Sequence, residues 1–107
     1  MKTFTVKTRY ASYENCVLVM DEYCDNDHIA LMIFSETEGP IASITVNIAS
    51  TDKCPKNYGY VDVNNFPEGE DIIDELGIGE DTGLIGFSGM CTYPLYKFDV
   101  EKIEEYQ

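Results

Sequence analysis

The 107-residue chain has room for one compact core, and it carries 20 Asp or Glu against 7 Lys or Arg, a formal charge of -13. Apolar residues make up 44% and aromatics 12%, which excludes a disordered acidic tail. The sign of the charge excludes direct binding to nucleic acid, whose phosphates it would repel.

From Tyr10 through Asp52 there are eight acidic residues and no Lys or Arg, and the same holds from Asn57 to Tyr96. No run of apolar residues is long enough to cross a bilayer, and neither a leader segment nor a lipidation signal is evident. The expectation is a single domain over residues 1–107, soluble in the cytosol and without membrane contact.

Phe4, Val6, Thr8 and Tyr10 alternate with Thr3, Thr5, Lys7 and Arg9, the period of a strand with one wet face. Cys16 to Tyr23 and Ile29 to Ser35 are apolar on both parities, which predicts central strands buried on both sides. Cys24-Asp25-Asn26-Asp27 and Glu36-Thr37-Glu38-Gly39-Pro40 have the chemistry of tight turns. From Ile41 to Ile48, Ala42, Ile44, Val46 and Ile48 alternate with Ser43, Thr45 and Asn47, predicting a fourth strand with a hydroxyl-lined outer face. Four sequential strands imply an antiparallel meander.

The polar segment from Ser50 to Asn57 reads as a surface loop, and Tyr58 to Val63 as a short strand. Pro67 to Leu76 is predicted to be a helix. Pro67 suits the first helical position, and Glu68, Glu70 and Asp71 lie where the positive end of the macrodipole favours anions. Gly77 sits where a left-handed stop belongs. At 100° per residue Ile72, Ile73 and Leu76 share one arc, opposite Glu68, Glu70, Asp71, Asp74 and Glu75.

The glycines that follow, interleaved with Leu84, Ile85, Phe87 and Met90, predict an ordered and partly buried loop. Tyr93, Leu95, Tyr96 and Phe98 suggest a last strand, and Asp99 a cap for a terminal helical turn reaching Tyr106. The fold class is therefore α+β: an antiparallel sheet of four to six strands with one main helix on a face. Its expected core is Val17, Leu18, Val19, Ile29, Leu31, Ile33, Ile44, Val46, Ile72 and Leu76.

Catalytic and metal chemistry finds little footing. Cys16, Cys24, Cys54 and Cys91 form no C-x-x-C pair, so reduced thiols are expected, at least two of them in the core. His28 beside Asp25 and Asp27 matches neither a calcium loop nor a zinc pattern and reads as a solvated turn. The glycine run from Gly77 to Gly83 follows a helix instead of a strand, and Glu80 and Asp81 would repel a phosphate. Carboxylates are so abundant that no pair can be nominated as acid and base. No catalytic residue, metal or cofactor is expected. A small enzyme using Cys91 is kept as an alternative, one that requires an accessible, low-pKa thiolate.

The remaining signal is the charge itself. Glu68, Glu70, Asp71, Asp74 and Glu75, continued by Glu80 and Asp81, would present carboxylates at intervals comparable with a phosphodiester backbone. Asp21, Glu22, Asp25 and Asp27 would form a second patch. Lys and Arg that normally neutralise phosphates would pair with these groups instead, with steering and strong salt dependence. The expected partner is a basic nucleic-acid-handling protein. The competing readings are a merely solubilising surface and a protein adaptor that uses exposed tyrosines or a sheet edge.

The tracts Tyr60-Val61-Asp62-Val63-Asn64-Asn65, Gly79-Glu80-Asp81-Thr82-Gly83, Ser88-Gly89-Met90-Cys91-Thr92-Tyr93-Pro94 and Tyr96-Lys97-Phe98-Asp99 resemble a small uncharacterised domain family of bacterial conjugative and integrative elements and phages. The resemblance covers most of the C-terminal half. It carries over no catalytic residues and implies a context in which small acidic proteins disarm host defence, binding CRISPR or restriction effectors in place of nucleic acid. The function expected from sequence is thus a non-enzymatic inhibitor with a nucleic-acid-mimicking surface.

Overall fold

A computed structural model describes residues 2–23, 28–48 and 57–107. The predicted turn at Cys24 to Asp27 and most of the predicted loop from Ser50 to Asn57 lie outside the described residues, as do Asp25 and Asp27 of the second acidic patch.

Strands β1 (Phe4–Lys7), β2 (Ser12–Glu22), β3 (Ile29–Ser35) and β4 (Gly39–Ser43) pair antiparallel in sequential order, the expected meander. They form only the first of two sheets. The second contains β5 (Thr45–Val46), β6 (Tyr58–Val61), β7 (Gly79–Ser88) and β8 (Cys91–Phe98), in the order β5-β6-β8-β7. Among the described residues the helices are α1 (Gly69–Leu76) and α2 (Val100–Glu104). The α+β class stands, but the single sheet with one helix is replaced by two antiparallel sheets and two short helices.

The switch between sheets falls inside the segment predicted as one strand. Ile44, fully buried, donates its N–H to Leu31 O at 2.8 Å, while its carbonyl accepts from Asp62 N at 2.8 Å, so one residue serves both sheets. The Ser43 hydroxyl closes the bend by donating to Thr45 O at 2.7 Å. Thr45, expected on an outer face, is buried, and its Oγ1 accepts from Leu31 N at 2.9 Å. A buried hydroxyl needs such a partner.

The core lies between the sheets. Cys16, Leu18, Leu31 and Ile33 from the first sheet pack with Val61, Tyr96 and Phe98 from the second, and the helices contribute Ile72, Ile73 and Ile103. Six expected core residues, Leu18, Ile29, Leu31, Ile33, Ile44 and Ile72, are buried. Val17, Val46 and Leu76 are only half-buried. Val19 is 47% exposed, because no second layer among the described residues covers the outer face of the meander. Met32 and Phe34 share that open face: Val19 is paired with Met32 and Val17 with Phe34.

Helix α1 begins two residues later than predicted, after a turn containing Pro67, and its N-cap Glu68 makes no side-chain capping bond. Its end is as expected. Gly77 adopts φ 66°, and Gly77 N and Ile78 N return to Asp74 O and Ile73 O, the double closure favoured at a left-handed stop. At the other terminus Asp99 caps α2 by accepting from Lys102 N at 3.2 Å. Tyr106 packs edge-on against Phe4, ring centroids 5.7 Å apart.

The glycine-interleaved segment is a strand rather than a loop. β7 pairs with β8 from Gly79↔Phe98 to Ser88↔Cys91, with an irregularity between Asp81 and Ile85. Glycine normally weakens a strand, but Gly86 lies under the Tyr60 ring. An added Cβ would sit 2.5 Å from Tyr60 Cε1.

Candidate functional site

The acidic candidates divide into two rows along α1. Glu70 and Asp74 turn towards β7 and β8, where the Tyr96 hydroxyl donates to Glu70 Oε2 at 2.5 Å. Burial, the hydrogen bond to Glu70 and the nearby charges of Glu70, Asp81 and Asp74 push the Tyr96 phenol well above its ordinary value. Tyr96 therefore stays protonated and is the neutral post around which three carboxylates gather. Glu68, Asp71 and Glu75 instead line a shallow groove of about 360 Å³ opposite Thr5 and Lys7. The single ridge expected on one helix face is thus two flanks.

Asp81 holds the turn after it by accepting from Gly83 N at 2.9 Å, and Glu80 lies across from Lys97 on β8. Beside this pair an open cleft of about 740 Å³ is bordered by Glu80, Lys97, Asp99 and Glu101. Asn57 and Val100 border it too, and both also border a smaller cleft with Asp21 and Glu22. The described part of the second patch therefore adjoins the first by way of Asn57 and Val100. Asp99, Glu101 and Tyr96 were not among the sequence candidates, and what joins them to the site is strand pairing and chain reversal rather than any local motif.

Lys7 and Lys97 lie near this shoulder, but its carboxylates are not held in ion pairs. Among the described residues the ion pairs are Lys2–Glu105 at 2.7 Å and Lys102–Glu105 at 3.6 Å, and neither involves α1 or β7. Asp74 and Glu75 occupy the last turn of α1, which holds no basic residue. That end of the macrodipole disfavours anions. Glu70 and Asp74, and likewise Asp71 and Glu75, are like-charged at i,i+4 spacing, which costs a helix about 0.2–0.5 kcal/mol per pair.

The other candidates lie away from the shoulder. His28, read as part of a solvated turn, is fully buried and meets the Tyr60 ring edge-on at 5.5 Å between centroids. Cys16 is buried with its thiol directed at Tyr13 O, and burial pushes its pKa up. Cys91 is a half-buried free thiol packed against a cluster of Ile48, Tyr60, Tyr93 and Leu95. Asp62, buried, accepts from the backbone and side chain of Asn65 and so holds the turn that leads into α1. Of the tyrosines, only Tyr10 is exposed. Among the described residues no group of three or more His, Cys, Asp or Glu side chains is placed to hold a metal ion. No helix among them is long and apolar enough to cross a membrane.

Fold and surface together define a small, acidic α+β protein of two antiparallel sheets with a carboxylate shoulder that forms no ion pair among the described residues. The chain belongs to the DUF4313 family, a domain of unknown function, whose family model matches residues 17–107. The match begins within β2 and leaves β1 outside it. No curated protein and no solved structure matches the chain.

Proposed function

We propose that the protein is a non-enzymatic binding protein whose acidic shoulder takes the place of nucleic acid before a basic, nucleic-acid-handling partner. The observation that carries this reading is the set of carboxylates on α1 and β7 that make no ion pair among the described residues, two of them at the wrong end of a helix dipole. A surface that served solubility alone would gain stability from a Lys in that last turn. Partner cations supply what the fold leaves out. Restriction and CRISPR effectors, the class implied by the sequence resemblance to a mobile-element family, present Lys and Arg channels of this kind.

The test is binding to purified candidate effectors at low and high salt, for the wild type and for Asp74→Lys combined with Glu75→Lys. The double reversal should weaken binding about tenfold or more and flatten its salt dependence. Unchanged affinity removes α1 from the interface, and binding indifferent to salt favours an adaptor that docks through apolar surface. Thiol chemistry at Cys91 is the remaining reading, and rapid alkylation of the native protein would favour it.

A further inference from the structure

The β7–β8 ribbon carries a second surface whose physics is the reverse of the shoulder's. From Thr82 to Tyr96 the chain has no charged side chain. In a molecule of charge -13 this stretch still exposes Leu84 at 63%, Ile85 at 56%, Phe87 at 66% and Met90 completely. β7 is also the outer strand of its sheet. The other three edges are blunted in the usual ways: β1 is four residues long and ends in Lys7, β4 contains Pro40, and β5 has two residues. The end of β7 has neither a charge nor a proline.

The hydrogen-bonding phase of this edge follows from Pro94. Proline has no N–H, so the pair Ile85↔Pro94 cannot exchange two hydrogen bonds. Gly86↔Tyr93 and Ser88↔Cys91 are then the bonded pairs. This phase suits the two-residue loop at the tip, where Gly89 has φ 61° and Met90 is not among the residues of positive φ, the pattern of a type II′ hairpin. The N–H and C=O groups of Ile85 and Phe87 consequently point away from β8, into the open edge.

We propose that this edge pairs with a second copy of the same chain, antiparallel about a two-fold axis at Gly86, so that the two four-stranded sheets become continuous. Ile85 of each copy then faces Phe87 of the other in a bonded pair, a β-branched residue against an aromatic. Gly86 meets Gly86 on the axis. The register also answers the charge problem: Asp81 is level with Tyr96, three places along β8 from the Tyr93 that faces Gly86, so the two Asp81 residues end up roughly 20 Å apart at about 3.4 Å per residue. That is more than twice the Debye length of about 8 Å. With Leu84 and Met90 included, the apolar surface available from two copies approaches about 1,000 Å², the lower bound of a specific interface. Because the operation is isologous it closes at two copies. An acidic partner site elsewhere on the molecule would bring carboxylates together, whereas this stretch brings none.

Sedimentation equilibrium of the full chain at physiological ionic strength, over a wide range of concentration, tests the proposal. The mass should rise from that of the 12.1 kDa chain to twice that value and stop there. Phe87→Glu, at an exposed position, should raise the dimer dissociation constant about tenfold or more, since the change occurs twice per interface. Adding Ile85→Lys should recover much of the loss, because each Lys then faces a Glu of the other copy. Phe34→Glu on the open face of the meander should leave the dimer intact, and near-UV dichroism of the tyrosines verifies that each variant is folded. A mass that stays monomeric at every concentration overturns the proposal, as does a dimer indifferent to Phe87→Glu or an assembly that grows past two copies.

Discussion

Strand β7 passes through two surfaces of opposite character. Gly79 to Asp81 run beside α1 over a packed base, where Gly79 lies close to Ile73, Phe98 and the Lys97 carbonyl, and the side chains that face outward are carboxylates. From Leu84 to Ser88 the same strand has no helix beside it among the described residues and presents Leu, Ile and Phe to solvent. By charge the first half favours a cationic surface, and by its apolar exposure the second favours a neutral one. One strand thus separates two binding chemistries over a few residues, and the bulge between Asp81 and Ile85 marks the division.

The largest expected effect tests whether the shoulder depends on the core while the ribbon does not. Ile73 is fully buried in α1, and Ile73→Ala should cost about 2–5 kcal/mol in denaturant unfolding by loss of transfer energy and by the cavity left behind. Phe87→Ala, at a position exposed in the monomer, should change the stability of dilute, monomeric protein by no more than about 0.5 kcal/mol. A comparable loss in both variants would mean that the ribbon is part of the core.

Gly86 is the place where the ribbon does touch the body. A methyl group there would collide with the Tyr60 ring, so Gly86→Ala should cost about 1–3 kcal/mol by overpacking. Tyr60 itself packs with Ile48, Tyr93 and Leu95. If Gly86→Ala proves neutral, Tyr60 swings away freely and the ribbon is hinged at this point.

These two glycine positions also show where sequence reading ends. The stop at Gly77 and the cap at Asp99 were legible because both are local: a helix period, then a residue suited to the boundary. β7 was not, because the reasons for Gly79 and Gly86 are rings that arrive from Phe98 and Tyr60 on other strands. The break at Ile44 was hidden for a similar cause. Ile41 to Ile48 keeps a strand alternation throughout, and only pairing with β3 on one side and β6 on the other divides it. His28 beside acidic neighbours reads as solvated until Tyr60 covers it. Val19 reads as buried because an apolar run cannot tell whether a second layer exists. The acidic residues were legible one by one, but their division into two flanks depends on β1 and β8 lying on either side of α1.

A smaller effect concerns the post at the centre of the shoulder. Tyr96→Phe removes a hydrogen bond to a carboxylate and should cost about 1–2 kcal/mol. The change also carries a pH signature. The folded-state pKa of the phenol lies above its unfolded value of 10.0, so the associated stability is fully present below that pH and is lost as pH rises through the folded value. Tyr93, whose pKa is also raised by burial, contributes in the same direction. The alkaline loss of stability in Tyr96→Phe should therefore be shallower than in the wild type but not absent. An identical slope would show that the hydroxyl of Tyr96 titrates alike in both states.

The smallest effect on stability is the most informative about function, because its sign is the opposite of the usual one. Asp74→Lys with Glu75→Lys replaces two anions in the last turn of α1 by cations, reversing an unfavourable dipole interaction and turning two like-charged i,i+4 pairs into attractive ones. Screened and exposed, these changes should together stabilise the fold by about 0.5–1 kcal/mol. The same double variant is the one expected to lose the basic partner. A fold that becomes firmer while its binding fails would place those carboxylates at an interface, since no ion pair among the described residues uses them. If stability falls instead, cations elsewhere on the protein are holding Asp74 and Glu75, and the shoulder is part of the scaffold rather than a surface kept open for a partner.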